Sequence, residues 1–443
     1  FSKRLSGAAG AVVASLFVAM PAWAQEAAAA AAPTPDKGDT AWMMVSTILV
    51  LAMIVPGLAL FYGGLVRGKN MLSVMTQVGA VAALAMLIWV MWGYTMAFGD
   101  GGGAIISGFG KLFLAGVTPD STAATFTDGV VIPEYVFICF QMTFAAITVA
   151  LVIGSVVERI KFSAVMVFAI VWLTIVYFPI AHMVWASNGY FFGLGALDFA
   201  GGTVVHINAG VSALVACLML GKRIGYPKEP MPPHSLTLTG VGTGLLWVGW
   251  FGFNAGSALE ANGSAALAMI NTFVATASAG LFWMLAERVN GHKPSALGFC
   301  SGIVAGLVAV TPAAGNSGPF GAIILGAVVS FVCYYAVSFL KPKLGYDDSL
   351  DAFGIHGIGG MVGAMATGIL YAPSLGGPGD GSVGISAQLM IQLETVLATI
   401  IWAGVGTAIA ITVAKMLTGL RVSAEVEREG LDLGEHGERA YNS

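Results

Sequence analysis

The stretch Asp198-Phe-Ala-Gly-Gly-Thr-Val-Val-His206-Ile-Asn-Ala-Gly210 places one carboxylate and, eight residues later, one imidazole in a run that is otherwise apolar and rich in glycine. The same spacing occurs again in Asp348-Ser-Leu-Asp-Ala-Phe-Gly-Ile-His356-Gly. The two units lie about 150 residues apart. Any fold proposed for this chain has to explain why this acid–histidine pair is repeated at such a distance.

Composition places most of this chain in a lipid bilayer. The chain has 443 residues, of which 57% are hydrophobic and only 9% are charged, whereas soluble domains carry roughly 25% charged residues. A membrane accommodates this much apolar surface, and a soluble core does not. The formal net charge of -4 comes without a dense basic cluster, so no nucleic-acid binding is expected. Four cysteines stand singly in apolar runs, which predicts buried side chains rather than a metal or cofactor site.

Residues 1–24 have the pattern of a secretory signal peptide. Lys3 and Arg4 precede an apolar run from Ala8 to Met20, and small residues up to Ala24 form a cleavage site. The Ala- and Pro-rich segment that follows is typical of a flexible linker. The predicted organisation is a signal peptide (1–24), a flexible outer linker (25–39), a transmembrane domain (40–416) and a cytoplasmic tail (417–443).

Eleven apolar runs are long enough to cross a bilayer as helices, which takes about 20 residues each. The turn Thr311–Pro319 divides one charge-free stretch into two spans, and 99–133 and 373–385 are predicted loops. We therefore predict an all-α integral membrane protein. Its spans are expected at about 41–64, 70–98, 135–157, 162–181, 199–221, 236–257, 263–286, 295–312, 318–340, 351–372 and 386–414.

The positions of Lys and Arg orient these spans, because cytoplasmic loops carry an excess of both residues. Beyond the N-terminal segment, one face has Lys111 alone, beside several Asp and Glu residues. We therefore expect the N-terminus outside and the C-terminus inside. The opposite face, predicted to be cytoplasmic, collects Arg67, Lys69, Arg159, Lys161, Lys222, Arg223, Lys228, Arg288, Lys293, Lys341, Lys343, Lys415, Arg421, Arg428 and Arg439.

The first ten spans form two blocks of five, so that spans 6–10 enter the membrane inverted relative to spans 1–5. Inverted repeats are typical of transporters, whose sites lie near the midplane between the halves. Asp198 then starts span 5 at the outer side, and Asp348 starts span 10 at the inner side. Each histidine lies about 12 Å deeper than its aspartate at 1.5 Å per residue, in a core about 30 Å thick. His206 and His356 are therefore predicted to meet near the midplane.

Ionisable side chains at mid-membrane are functional-site candidates, and His206 and His356 are the two histidines predicted to lie well inside a span. Three interpretations stay open from the residues alone. Each ring could merely hydrogen-bond across a helix interface, the pair could hold a haem iron, or it could serve a transport site. A zinc site is disfavoured, because two imidazoles lack a third protein ligand.

Aromatic residues and one hydroxyl are predicted at the outer mouth. Phe140 and Phe144 share a face of span 3, Phe253 and Ser257 share a face of span 6, and Trp185 lies in the connection that leads to Asp198. Aromatic faces attract a small cation and the hydroxyl oxygen can accept its hydrogen bonds. The alternative is an ordinary aromatic belt at the membrane surface.

Two carboxylates have less definite roles. Asp198 could bind a cation directly or cap the start of span 5, and the cap is favoured because a carboxylate satisfies the free N–H groups of a helix start. Glu394 lies inside the last span without a charged partner nearby in sequence. A role in helix packing is expected for it.

Five motifs resemble the ammonium transporter (Amt/Rh) family, and its bacterial Amt branch most of all. The resemblance runs from about residue 37 to the C-terminus. The motifs are Phe61-Tyr-Gly-Gly-Leu-Val-Arg-Gly-Lys-Asn70, Glu158-Arg-Ile-Lys-Phe-Ser163, Asp198-Phe-Ala-Gly-Gly-Thr-Val-Val-His-Ile-Asn208, Gly249-Trp-Phe-Gly-Phe-Asn-Ala-Gly-Ser257 and Phe353-Gly-Ile-His-Gly357.

The resemblance implies a site as well as a fold. It implies a homotrimer with one pore per subunit in the bacterial inner membrane, carrying ammonium and methylammonium. It also implies that the tail, through Glu427–Asp432 and Gly437–Tyr441, takes part in regulation by a PII-type signalling protein. The site residues implied are Phe144, Trp185 and Ser257 for the outer ammonium site, Phe140 and Phe253 for a stacked gate, His206, His356 and Trp250 for the pore, and Asp198 for a structurally required outer carboxylate.

The predicted function is therefore transport, without a cofactor and without enzymatic activity. The cation would bind at the outer site, lose its proton, and cross an apolar pore as ammonia past the two histidines, with or without a relayed proton. Two rival functions are kept open. One is an ammonium sensor that shares the pore, and the other is a membrane redox protein with a bis-histidine haem.

Overall fold

The computed structural model describes residues 33–441, so the predicted signal peptide and most of the predicted linker lie outside the described residues. Within that range, eleven helices are long and apolar enough to cross a membrane, which confirms the predicted number of spans. They are α1 (Lys37–Leu65), α2 (Gly68–Phe98), α3 (Glu134–Ile153), α4 (Phe162–Gly193), α5 (Gly202–Leu220), α6 (Leu236–Gly256), α7 (Gly263–Val289), α8 (Ala296–Ala313), α9 (Pro319–Leu344), α10 (Phe353–Leu370) and α11 (Ile385–Thr418).

The first and fourth helices extend beyond their predicted ends. Asp36 caps α1 by accepting hydrogen bonds from the N–H groups of Gly38 and Asp39, so the helix already begins at Lys37 within the predicted linker. The continuous helix of α4 runs to Trp185, and one further turn, Tyr190–Gly193, follows a short break. The predicted end was 181, just before His182. The ring nitrogens of His182 lie 2.8 Å from the carbonyl oxygens of Ala97 and Gly103, so this polar side chain has partners inside the fold.

The predicted loop 99–133 contains some regular structure. Two short strands, β1 (Thr122–Ala124) and β2 (Val131–Pro133), pair antiparallel with Thr122 opposite Pro133. A single 3-10 turn, Leu112–Leu114, precedes them. This segment covers the end of the bundle at which Trp185 and Ser257 lie, because it lines the same cavity as those residues.

The two repeated units have the same local structure. Gly202–Ile207 opens α5 and Phe353–Gly357 opens α10, and both openings are π-helical turns. Asp198 accepts hydrogen bonds from the first backbone N–H groups of α5, and Asp348 accepts them from those of α10. The carboxylate therefore satisfies the unpaired donors of a helix start in both halves. The inverted repeat is confirmed.

Glycines let the two repeated helices cross closely. A Cβ atom added at Gly210 would lie 2.1 Å from the backbone nitrogen of Gly357, which no side chain tolerates. A Cβ atom at Gly360 would lie 3.0 Å from the Cβ atom of His206. Small residues allow helix backbones to approach each other in membranes, and this crossing places the two histidines side by side.

The tail folds back on the bundle instead of extending away from it. It forms two short helices, α12 (Ala424–Glu429) and α13 (Leu431–His436). Leu431 is fully buried, and its N–H group donates to Asn70 Oδ1 at 2.9 Å. Asp432 accepts a hydrogen bond from the backbone N–H of Ser73 at 2.7 Å, near the start of α2. The tail thus contacts the same end of the bundle as the basic residues Lys69 and Arg421.

Candidate functional site

Three cavities lie in line through the protein. A cavity of about 350 Å³, here called the aromatic vestibule, is lined by Phe140, Trp185 and Ser257. A cavity of about 440 Å³ at the tail end, here called the charged vestibule, is lined by Arg223, Lys341, Asp351 and His356. Between them lies a pore cavity of about 10 Å³, lined by His206, Trp250, Phe253 and His356. That is roughly the space of one water molecule.

The two histidines contact each other in the pore cavity. The Nδ1 atoms of His206 and His356 are 3.3 Å apart, and their rings are stacked at 23° with centroids 5.4 Å apart. Both side chains are buried. The predicted meeting of the two histidines is therefore confirmed. A contact between two ring nitrogens requires one donor and one acceptor, so a single proton lies between the rings.

Thr311 orients the first of these rings, a role that the sequence analysis missed when it assigned this residue to a turn. Its hydroxyl oxygen lies 2.9 Å from Trp250 Nε1 and 3.3 Å from His206 Nε2. The nearest acceptors for its proton are the carbonyl oxygen of Leu307 at 2.8 Å and Asn254 Oδ1 at 3.3 Å. The indole N–H of Trp250 can only donate. With the Thr311 proton directed to Leu307, the tautomer that satisfies both contacts has His206 Nε2 donating to Thr311 and His206 Nδ1 accepting from His356 Nδ1. This arrangement leaves His356 Nε2 as the free acceptor.

Aromatic rings lead from the aromatic vestibule to the histidines. Phe144 stacks on Phe253 with ring centroids 4.2 Å apart and 26° between the planes. Trp185 meets the edge of Phe144 at 5.6 Å, and His206 lies parallel to Phe253 at 6.0 Å. The ring that stacks on Phe253 is therefore Phe144. The predicted pairing of Phe140 with Phe253 is corrected, because Phe140 lies one helical turn further out and contacts Phe144 at a tilt of 59°.

Ser257 and Trp185 complete the wall of the aromatic vestibule. The Ser257 hydroxyl donates to the carbonyl oxygen of Phe253 at 2.8 Å, so its lone pairs stay available as acceptors. The indole N–H of Trp185 donates to the carbonyl oxygen of Asp198 at 3.0 Å, which fixes the ring. The sequence predicted Trp185 in a connection between helices, but it is the last residue of a helix. Its π face and the Ser257 oxygen are the groups left for a ligand.

Comparison with known proteins agrees with this geometry. The sequence profile of the Ammonium Transporter Family matches residues 41–441. The chain belongs to that family. An ammonium transporter of Aquifex aeolicus is 48% identical over 415 residues, which cover 92% of this chain and 94% of the relative. An ammonium transporter of Bacillus subtilis is 45% identical over 408 residues, which cover 92% and 99%.

Solved structures of similar proteins support the same assignment. Mep2 of Candida albicans superposes with a TM-score of 0.79 at 34% identity, covering 88% of this chain and 87% of that one. A sensor Amt protein superposes with a TM-score of 0.82 at 27% identity, covering 90% and 98%. This member of the ammonium transporter family is therefore a multi-pass membrane protein and not an enzyme.

In this member of the ammonium transporter family, the Asp198 carboxylate accepts hydrogen bonds mainly from backbone N–H groups. It accepts them from the N–H groups of Gly201, Gly202, Thr203 and Val204 and from the Thr203 hydroxyl. All these partners belong to the opening of α5. These contacts are those of the predicted helix cap, and they hold the π-helical turn that presents His206.

Buried charges hold the tail end of the transporter together. Glu158 accepts hydrogen bonds from Arg67, Asn70 and Arg223, and Arg223 also forms a bidentate pair with Asp347. Burial opposes ionisation, but Arg223 and Arg67 hold the pKa of Glu158 below its ordinary value. Burial also opposes ionisation of Asp347, but Arg223 lowers the pKa of this carboxyl below its ordinary value. Removing one partner of such a buried pair costs about 3–5 kcal/mol.

The haem interpretation does not fit this site. An iron held between two imidazoles separates the ligating nitrogens by about 4 Å, twice a metal–nitrogen bond of about 2 Å. The facing Nδ1 atoms are 3.3 Å apart and hydrogen-bonded, in a cavity of about 10 Å³. Within residues 33–441, no three His, Cys, Asp or Glu side chains are placed to hold a metal ion.

Glu394, for which the sequence predicted a packing role, accepts a hydrogen bond from the Tyr190 hydroxyl at 3.1 Å. Both side chains are exposed in the single chain, so this contact joins α11 to the last turn of α4 at the surface of the bundle.

Proposed function

We propose that this protein carries ammonium into a bacterial cell, taking up the cation at the aromatic vestibule and passing ammonia through the pore. One observation carries the proposal. The stacked rings of Phe144 and Phe253 separate a vestibule that suits a cation from a pore cavity of about 10 Å³ that ends on two hydrogen-bonded histidines.

The vestibule provides the groups that an ammonium ion requires. The faces of Trp185 and Phe140, which line the vestibule with Phe144 packed against both rings, attract its charge, with about 0.5–2 kcal/mol for a cation–π contact. The free lone pairs of Ser257 accept one of its hydrogen bonds. Methylammonium has the same charge and one apolar group, which the aromatic wall also accommodates. We therefore include it as a substrate.

The pore selects against potassium because an ion that keeps its charge is destabilised in the apolar cavity. A charged group at the centre of a membrane costs at least a few kcal/mol, and the apolar pore cavity has no room for a hydration shell. Ammonium can release a proton and continue as neutral ammonia, whereas potassium cannot lose its charge. The free acceptor of His356 supplies a hydrogen bond to ammonia.

Two versions of this mechanism differ in the fate of the proton. In the first, the histidine pair relays the proton inward, since the nitrogens already share one, and each transport cycle moves a charge. In the second, the proton returns to the outside and the net flux is ammonia. The first version predicts a current that follows ammonium, and the second predicts a pH change without a current.

Orientation follows from the charges of the two ends. The tail end carries Arg67, Lys69, Arg223 and Lys341, and cytoplasmic loops are rich in such residues. We propose that the aromatic vestibule opens outside and the charged vestibule inside. The docked tail then lies in the cytoplasm, where a PII-type signalling protein reaches it. Mixing the detergent-purified protein with a PII protein and measuring complex mass tests this part.

We further propose that the protein is a homotrimer in the inner membrane after removal of a signal peptide. The family resemblance supports the trimer, and the pattern of residues 1–24 supports the signal peptide. The mass of the detergent-free complex, measured by native mass spectrometry, would show three chains. A single chain would contradict the proposal.

A sensor is the second candidate, and the likeness to a sensor Amt protein favours it. A sensor needs the vestibule and its cation site but no flux through the pore. Binding of ammonium without transport would therefore identify a sensor, whereas binding with transport would identify a transporter.

Solid-supported-membrane electrophysiology on proteoliposomes tests the proposal directly. Pulses of ammonium and methylammonium should give currents, or pH changes in the lumen, that potassium pulses do not. Replacing both His206 and His356 by Ala should abolish the ammonium-specific signal. Equal responses to ammonium and potassium, or an undiminished ammonium current in the double variant, would contradict the mechanism.

A further inference from the structure

A lysine amino group lies in the wall of the aromatic vestibule, although this cavity is proposed to attract a cation. Lys111 Nζ is 2.6 Å from Glu134 Oε1 and 3.6 Å from Asp100 Oδ2. It also lies 5.9 Å from the centre of the Tyr94 ring. All four residues line the vestibule together with Trp185. Lys111 is also the lysine that the sequence placed alone on the predicted outer face.

The groups around the Lys111 amino group are of the kind that would bind a free ammonium ion. A primary ammonium group has the same charge as ammonium and three of its N–H donors. Carboxylate oxygens and an aromatic ring hold it here, and the Tyr94 hydroxyl shares the same Glu134 oxygen at 2.6 Å. The side chain therefore occupies, inside the vestibule, a position that would otherwise attract substrate.

The three charges sum to minus one, because Lys111 offsets one of the two carboxylates. Without Lys111, the same wall would carry two negative charges. The Glu134 side chain is only 6% exposed and its ion pair with Lys111 is short, so the lysine is held in place. Asp100, by contrast, is 85% exposed and adds a negative charge at the mouth.

We propose that Lys111 is a tethered ammonium group that limits the occupancy of the vestibule by free cations and so sets the apparent affinity of transport. This inference rests on the proposed function. It assigns Lys111 a role in substrate affinity rather than in the passage of ammonia through the pore. The maximal rate should therefore be unaffected by its charge.

The size of the effect follows from Coulomb's law. Two unit charges about 10 Å apart, at an effective dielectric constant of about 40 to 80, change an equilibrium roughly two- to fourfold. Such an effect is screened by salt, since the Debye length falls to about 8 Å at physiological ionic strength. The expected change is therefore in the half-saturating ammonium concentration, and it should be largest in dilute buffer.

The experiment compares four variants in proteoliposomes by ammonium-concentration pulses at low and at high ionic strength. Lys111→Met should lower the half-saturating concentration roughly two- to fourfold at low ionic strength and leave the maximal current unchanged. Lys111→Arg keeps the charge and should match the wild type. Asp100→Asn, at a largely exposed side chain where folding is not at risk, should raise the half-saturating concentration. Lys343→Met, on the opposite end of the molecule, is the matched control.

An unchanged or higher half-saturating concentration in Lys111→Met would overturn the inference, as would an equal decrease in Lys343→Met or an effect that survives high ionic strength. These outcomes differ from a failure of the proposed function. If the wild type gives no ammonium-specific signal, the proposed function fails. If the wild type transports ammonium and Lys111→Met behaves identically, only the role of Lys111 fails.

Discussion

The Nδ1 atoms of His206 and His356 lie 3.3 Å apart at the crossing of α5 and α10, the two helices that open with the same aspartate-capped turn. Each ring comes from one half of the inverted repeat. The contact is possible because Gly210 and Gly357 bring the two backbones within a distance that no side chain allows. The histidine pair is therefore formed by the inverted repeat itself, with one ring from each half.

The hydroxyl of Thr311 is expected to matter for transport although it does not face a ligand. Thr311→Val removes the acceptor of Trp250 and His206, leaving two buried N–H groups without a partner, at about 1–3 kcal/mol each. We expect the ammonium current to fall roughly tenfold as the His206 ring loses its fixed tautomer. Thr311→Ser retains the hydroxyl and should retain most of the current. If the valine variant transports normally, the positioning role is wrong.

The two phenylalanines of α3 should differ in their effect on selectivity. Phe144 stacks on Phe253, whereas Phe140 makes a tilted contact with Phe144. Phe144→Leu removes a ring pair worth about 0.5–1.5 kcal/mol beyond burial and widens the passage to the pore. We expect this variant to admit potassium or to be blocked by it, and Phe140→Leu to remain selective. Currents in mixed ammonium and potassium solutions measure the difference, and equal behaviour of the two variants would contradict it.

Ser257 should affect uptake mainly when ammonium is scarce. Ser257→Leu removes an oxygen acceptor and fills part of the vestibule with an apolar side chain, so the cation loses about 1.5–3 kcal/mol of charged hydrogen bonding. We expect the half-saturating concentration to rise roughly tenfold or more, with a smaller change in maximal rate. Ser257→Thr, which keeps a hydroxyl, is the control. Equal losses at low and high ammonium would argue against an outer binding site.

Asp348 should make the stability of the protein depend on pH. Burial, with the negative charge of Asp351, raises the pKa of Asp348 to about 6 despite the attraction of Lys341. The folded state then holds a proton that the unfolded state has already released, so stability is full below about pH 4 and is lost as the pH rises through about 6. The thermal midpoint in detergent measures this.

The matching variant removes the titration. Asp348→Asn keeps one oxygen acceptor, enough for one of the two N–H groups of Ala352 and Phe353, and carries no charge. Its thermal midpoint should therefore fall less than that of the wild type between about pH 4 and 6. Because other groups titrate in the same range, the difference between the two proteins is the quantity to follow. A difference that is constant with pH would refute the raised pKa.

The tail should detach when its buried contact is broken. Leu431 is fully buried against the tail end of the bundle, and Leu431→Asp would place an unpaired charge there, at a cost of several kcal/mol. We expect trypsin to cleave this variant at Arg428 much faster than the wild type, in membranes that expose the tail end. Glu438→Gln, at an exposed position, should be cleaved at the wild-type rate. Equal cleavage of all three proteins would show that Leu431 does not hold the tail.

The sequence by itself determined the membrane class, the eleven spans, the inverted repeat and the meeting of His206 with His356. These features follow from the composition of each segment and from comparing its length with the thickness of a bilayer. Both can be read along the chain without knowing how side chains pack. The motifs also determined the family. The end of α4 was misjudged because His182 finds hydrogen-bond partners in a distant part of the chain. The start of α1 was misjudged although its cap, Asp36, bonds residues only two and three positions away.

Only the tertiary structure decided which ring stacks on Phe253, how Thr311 orients His206, and that Lys111 lies among carboxylates in the aromatic vestibule. Each of these contacts joins residues from different helices or from a loop and a helix. Their geometry depends on helix rotation and on shifts of one turn, about 5.4 Å, which a linear pattern of apolar residues leaves undetermined. The proposed selectivity rests on these contacts, so its physical basis becomes visible only in the assembled fold.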